Sequence, residues 1–113
     1  MSQRIKIPQY DNGIKLIFTI KKDTMVESLQ GATILLKLKH TTEGLTIVRE
    51  CKITDATAGE CEYVLTTQDL SVTGAYISEI ETRFANGTIL SVDNPIILTV
   101  TPEQIDDNRK RRV

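Results

Sequence analysis

The chain has no tryptophan, and its only histidine is His40. Aromatic residues make up 4% of it, too few for a stacking platform for bases or sugars, which needs several exposed ring faces. Cys51 and Cys61 are the only cysteines, so with His40 the chain falls short of the four ligands of a structural zinc site. No apolar run approaches the ~18 residues that span a bilayer, so membrane insertion is not expected. The stretch from Met1 to Pro8 lacks the apolar core of a signal peptide, which implies synthesis in the cytosol. A formal net charge of −1 gives no bulk attraction to nucleic acid. Gly-x-Ser-x-Gly elbows, phosphate-binding glycine loops and dinucleotide fingerprints are missing, so no cofactor is expected.

What is present is β-forming. Thr, Ile and Val supply about a third of the 113 residues, and branched side chains suit a pleated, half-buried surface. That length is one domain with an ordinary core. The strongest local signal is Asn86-Gly87 between Ala75–Phe84 and Thr88–Val100, the dipeptide of tight hairpins, in which both residues take positive φ. Upstream, Ile14, Leu16, Phe18 and Ile20 alternate with a mostly solvated face. Ile34, Leu36, Leu38 and His40 do the same in the next run. Arg4–Ile7 reads as an edge strand stopped by Pro8. Thr46–Thr54 has a weaker pattern, that of an edge or sheet-crossing strand. Cys61, Tyr63 and Leu65 form a short strand after the Asp55–Gly59 turn. Lys22–Gly31 and Thr66–Gly74 read as connections, with Leu29, Leu70 and Val72 packed beneath. Asp93-Asn94-Pro95 reads as a break.

The count is seven to eight short strands, with turn signals every eight to twelve residues and no convincing helical period. It predicts an all-β antiparallel sandwich over residues 1–100, followed by a charged tail over 101–113.

Chemistry-bearing residues are sparse. His40, at a strand end, reads as a surface residue rather than a general base. Glu79 and Glu81 point to one face, and a solvated face balanced by Arg83 is preferred over a glycosidase pair. Asp106-Asp107 is too small a set for a hard-cation site. Two readings of Cys51 and Cys61 stay open: reduced thiols, favoured in a cytosolic chain, or a disulfide across the intervening turn. Candidate partner contacts are therefore sought at loop tips, which carry function more often than sheet faces. They are Asp55, Thr57 and Asn86, together with the basic tail cluster Arg109, Lys110, Arg111 and Arg112.

The order of landmarks resembles a known family. Asp11-Asn12-Gly13-x-x-x-x-Phe18-x-Ile20 is followed by Leu29-x-Gly31-Ala32-Thr33 and Leu36-x-Leu38-Lys39. Then come Asp55-x-x-x-Gly59-x-x-x-Tyr63-x-Leu65, Gly74-Ala75-Tyr76-x-x-Glu79-Ile80 and Asn86-Gly87-Thr88. This series resembles the immunoglobulin-like N-terminal domain of phage baseplate upper proteins. The size resembles small stand-alone accessory proteins of SPP1-like siphophages. Baseplate upper proteins continue into a helical linker and further domains, so a bridging role is not carried over to a chain of this length.

The resemblance implies an immunoglobulin-like sandwich without catalytic residues. It implies a tail or baseplate accessory module, made in the host cytoplasm and destined for the virion tail. Its partners would be other phage tail or baseplate proteins, or a host surface component, and a homo-oligomer is compatible with its exposed edge strands. Two rivals are carried. One is a carbohydrate-binding module using Tyr10 and Tyr63; the other is a small effector that binds a host protein.

Overall fold

A computed structural model describes residues 3–103. In chain order its strands are β1 (Gln3–Pro8), β2 (Ile14–Thr19), β3 (Lys21–Lys22), β4 (Met25–Val26), β5 (Thr33–His40), β6 (Thr46–Glu50), β7 (Lys52–Asp55), β8 (Glu60–Leu65), β9 (Gly74–Arg83) and β10 (Ile89–Thr101). Eight of these build two sheets, of order β1-β10-β9-β5-β6 and β2-β8-β7, while β3 and β4 pair only with each other. No helix occurs among the described residues. The two sheets face each other across one core, to which β2 contributes Leu16 and Phe18, β5 Ile34, Leu36 and Leu38, and β10 Leu98 and Val100. The period-2 alternation read from the sequence is thus the in–out alternation of a sandwich.

Two strands show how the chain moves between sheets. The run from Thr46 crosses over at Cys51: β6 closes one edge of the larger sheet, and β7 edges the smaller one. Cys51 itself is buried, and its N–H donates to Ile34 O at 2.8 Å. β1 pairs with β10 in parallel, Gln3 opposite Ile96 and Pro8 opposite Thr101. This corrects the expectation of antiparallel pairing throughout. Short connections constrain only neighbours in sequence, and the whole sandwich lies between these two strands.

The 93–95 break is a bulge inside one continuous strand. The register of β10 against β9 shifts between Asp93 and Ile97, which puts three residues opposite Ser78. Ser78 Oγ donates to Ile96 O at 2.5 Å and accepts from Ile96 N at 3.1 Å. One hydroxyl thereby satisfies both backbone groups of Ile96 within the bulge.

The Asn86-Gly87 hairpin also differs in detail. Gly87 N donates to Phe84 O, Phe84 N donates to Thr88 O, and Gly87 has φ +92°. Asn86 is not in the positive-φ region. This is a three-residue loop, a turn followed by one left-handed glycine, rather than a two-residue mirror-image turn.

Tyr76, fully buried near the start of β9, donates its hydroxyl to Val72 O at 2.7 Å. A tyrosine at this corner, bonded back to the chain a few residues upstream, is a hallmark of immunoglobulin-type sandwiches. Leu29 and Leu70 are buried as expected, whereas Val72 is exposed. The Lys22–Gly31 connection contains the β3–β4 hairpin.

Candidate docking surface at one end of the sandwich

The turn Asp55–Gly59 joins β7 to β8, and the loop Phe84–Thr88 joins β9 to β10. Strand directions put both at the same end of the molecule, and the segment before β5 links them. Leu29 N donates to Ala56 O at 2.9 Å, and a Cβ on Gly31 would lie 3.2 Å from Ala85 Cβ. The β3–β4 hairpin belongs to the same end: a Cβ on Gly59 would lie 2.7 Å from Val26 Cγ1. Asp55, Thr57 and Asn86 therefore share one end, and all three are exposed.

Two of the three also build their own turns. Asp55 Oδ1 accepts from Ala58 N at 3.1 Å, and Asn86 Oδ1 accepts from Thr88 N at 2.9 Å. Such bonds explain why Asp and Asn stand there. Thr57 is left as a tip residue.

Sequence reasoning missed the apolar part of this end. Met25 is 70% exposed, Ile89 60%, and Val26 is also exposed. A depression of about 400 Å³ opens at this end, lined by Ile89 with Lys22, Glu27, Phe84 and Asn86 but not by Met25 or Val26. The available signal was Met25-Val26 standing apolar within an otherwise polar connection.

The described chain finishes at the other end, where Gln9 N donates to Thr101 O at 2.7 Å and Tyr10 N to Leu70 O at 3.1 Å. Asp106, Asp107, Arg109, Lys110, Arg111 and Arg112 lie outside the described residues.

His40 is not on the surface. It is buried, stacked edge-on against Tyr76 with ring centroids 4.9 Å apart. Nδ1 faces the Thr42 and Glu43 N–H groups at 3.2 and 3.1 Å, so it must accept. Nε2 therefore carries the proton and donates to Thr73 O at 2.8 Å. Both ring nitrogens are committed to tying the β5–β6 turn to the entrance of β9.

The other polar knot is Asp69, buried between strands. Its Oδ1 accepts from Arg49 Nε at 2.9 Å, and its Oδ2 accepts from Tyr63 Oη at 2.5 Å and Thr66 N at 3.0 Å. Burial pushes this carboxyl up, but the Tyr63 and Thr66 hydrogen bonds and the Arg49 charge outweigh it and hold the group below the usual carboxylate range. Tyr63 is thus half-buried and tied down, which leaves Tyr10 as the exposed tyrosine.

Glu79 and Glu81 are not a catalytic pair in a cleft: Lys37 Nζ lies 3.3 Å from one and 2.9 Å from the other, and Arg83 Nε is 2.5 Å from Glu81. Among the described residues no group of three or more His, Cys, Asp or Glu side chains could hold a metal ion. No described helix is long and apolar enough to cross a membrane.

The family model described as the BppU N-terminal domain, that of baseplate upper proteins, matches residues 1–111. The chain belongs to that family. This baseplate-type domain is also similar in structure to the N-terminal domain of phage TP901-1 ORF48. The TM-score is 0.61 at 16% identity, covering 88% of this chain and 84% of that one. At that identity the likeness speaks for the fold alone. No curated protein matches the chain. The protein is thus a phage baseplate or tail structural domain with an all-β fold.

Proposed function

We propose that this baseplate-type domain is a non-enzymatic accessory module of the virion tail that docks other tail or baseplate proteins through its loop end. The observation that carries the reading is that Asp55, Thr57 and Asn86 share one end of the sandwich with exposed Met25, Val26 and Ile89, where Asn86 and Ile89 line an open depression. Large exposed apolar side chains rimmed by polar groups suit a protein partner. The mechanism is surface recognition with no change in covalent bonds. The titratable groups that catalysis would draw on are engaged otherwise: His40 with backbone, Asp69 with Arg49 and Tyr63. Arg109, Lys110, Arg111 and Arg112 are assigned an auxiliary electrostatic contact with the same class of partner.

The test is binding to purified tail or baseplate proteins from the phage that encodes the chain. Met25→Asp with Ile89→Asp should weaken binding at least tenfold, and Thr57→Ala by less, with the thermal melt nearly unchanged. Undiminished binding by the Met25/Ile89 variant would exclude this surface. Binding to a glycan array, lost on Tyr10→Ala, would favour the carbohydrate reading instead.

A further inference from the structure

The two facing sheets end in β1 and β6 on the larger and in β2 and β7 on the smaller. Exposed edges are usually guarded against pairing by charge, proline, bulging or cover. β1 carries Arg4 and Lys6 and ends at Pro8. β7 is bulged, with a register shift between Ile53 and Asp55. On β6, Arg49 Nη1 occupies an outward carbonyl, donating to Val48 O at 3.1 Å. β2 is unguarded. It pairs with β8 without a register shift from Ile14 to Thr19, and Ile17 at its middle is 61% exposed. The one charge within β2, Lys15, leans over β8 to Glu62 at 3.7 Å, away from the free edge. Ile20 N donates to Gly59 O, its opposite in the same register. Ile14, Leu16, Phe18 and Ile20 therefore turn their backbone groups to β8, while Lys15, Ile17 and Thr19 turn theirs outward.

We infer that β2 takes a single extended segment of another protein as an added strand. The shape beside the edge selects that occupant. The larger sheet has five strands against three in the smaller, and it reaches past β2. A depression of about 180 Å³ opens there, lined by Phe18 of β2, Ile80 of β9, Val92 and Ile96 of β10 and Gln3 of β1. One strand laid about 4.8 Å from β2 sits on this overhang. A second copy of the domain brought up edge-on would meet β1 first. The added strand would bond to Lys15, Ile17 and Thr19 through its backbone, and its alternate side chains would enter the apolar depression. Charge selects one end of it. No acidic residue lies between Gly13 and Lys22. On β8, Glu62 is engaged by Lys15 and Glu60 by Thr54 Oγ1, while Lys21 has no ion pair among the described residues. An antiparallel segment places its first residues beside Lys21, so an acidic residue fits there. This edge is distinct from the Asp55 and Asn86 tips.

The experiment is an NMR titration of the full chain with residue-resolved amide exchange. The probe is a short synthetic peptide with valine at alternate positions, threonine between them and glutamate at its start. Binding should saturate, and the Lys15, Ile17 and Thr19 amides should exchange at least tenfold more slowly. A peptide methylated on the amide nitrogens that face β2 should not bind, and lysine in place of the glutamate should weaken binding at least threefold. Ile17→Pro removes an outward N–H and leaves the β8 ladder intact. It should abolish protection at Lys15 and Thr19, as should Ile17→Lys, which only adds a charge at an exposed site. A thermal melt verifies that each variant folds. No protection of these amides up to millimolar peptide, protection at Val48 of β6 instead, or a dimer that forms through β2 without peptide would overturn the inference.

Discussion

Gly74 approaches His40 so closely that a Cβ built on it would lie 2.2 Å from Nε2. Gly74 also has φ +130°, where a side chain is strained. The glycine at the mouth of β9 therefore gives the buried imidazole the room to reach Thr73 O. Gly74→Ala should destabilise the domain by on the order of 3 kcal/mol in urea unfolding. In a His40→Ala background the same change should cost only the backbone strain, about 1 kcal/mol. Additive costs would show that the two residues are not coupled.

Asp69 contributes to stability against acid. Its carboxyl is held below the usual value of 3.8, so its contribution is complete above that value and is lost as pH falls through the folded one. Asp69→Asn should lower stability at neutral pH and flatten the decline below pH 4. An acid limb of unchanged slope would mean that other carboxylates dominate it.

Tyr63 acts at the opposite limit. Burial, then its bond to Asp69, pushes the phenol up from 10.0 to about 12. A raised value means that the contribution is intact below about pH 10 and is lost as pH rises towards 12. Absorbance titration should find Tyr63 ionising late, together with Tyr76, whose phenol burial also pushes up. Tyr63→Phe should remove one tyrosine from that late titration and cost about 1–2 kcal/mol at neutral pH, since Asp69 then loses a donor.

The residues just discussed show where sequence reading succeeded. Ile14–Ile20 and Ile34–His40 alternate cleanly because each covers one side of a two-layer core, so their phase could be read directly. Leu29 was recognisable as a large apolar residue in a mostly polar connection, but Met25 and Val26 of the same connection are exposed. His40 was misplaced because its phase pointed inward while its polarity pointed outward. What settles the matter is a partner 33 residues away, Thr73, and no local pattern encodes that. The parallel β1–β10 pair and the Ser78-filled bulge likewise depend on long-range register. At the loop end, turn chemistry made Asp55 and Asn86 visible, whereas Met25 and Ile89 became candidates only once folding brought their segments together.

Cys51 and Cys61 are free thiols, and both are buried. The Cys61 sulfur, then burial, push the Cys51 thiol up, and a protonated, shielded thiol is a poor nucleophile. Neither cysteine should react with an alkylating reagent in the folded protein at mildly alkaline pH, and both should react in urea. Rapid labelling of either in the native state would contradict the packing of the sheet crossover at Cys51.

Docking in the phage tail is tested most directly by whether the protein travels with assembled tails. Purified tails from the encoding phage, lacking the chain, would be mixed with the full-length protein and sedimented. The account predicts saturable cosedimentation at a fixed stoichiometry, reduced by Met25→Asp with Ile89→Asp and insensitive to added cell-wall glycans. Protein left entirely in the supernatant, or captured instead by a host protein at stoichiometric level, would contradict it.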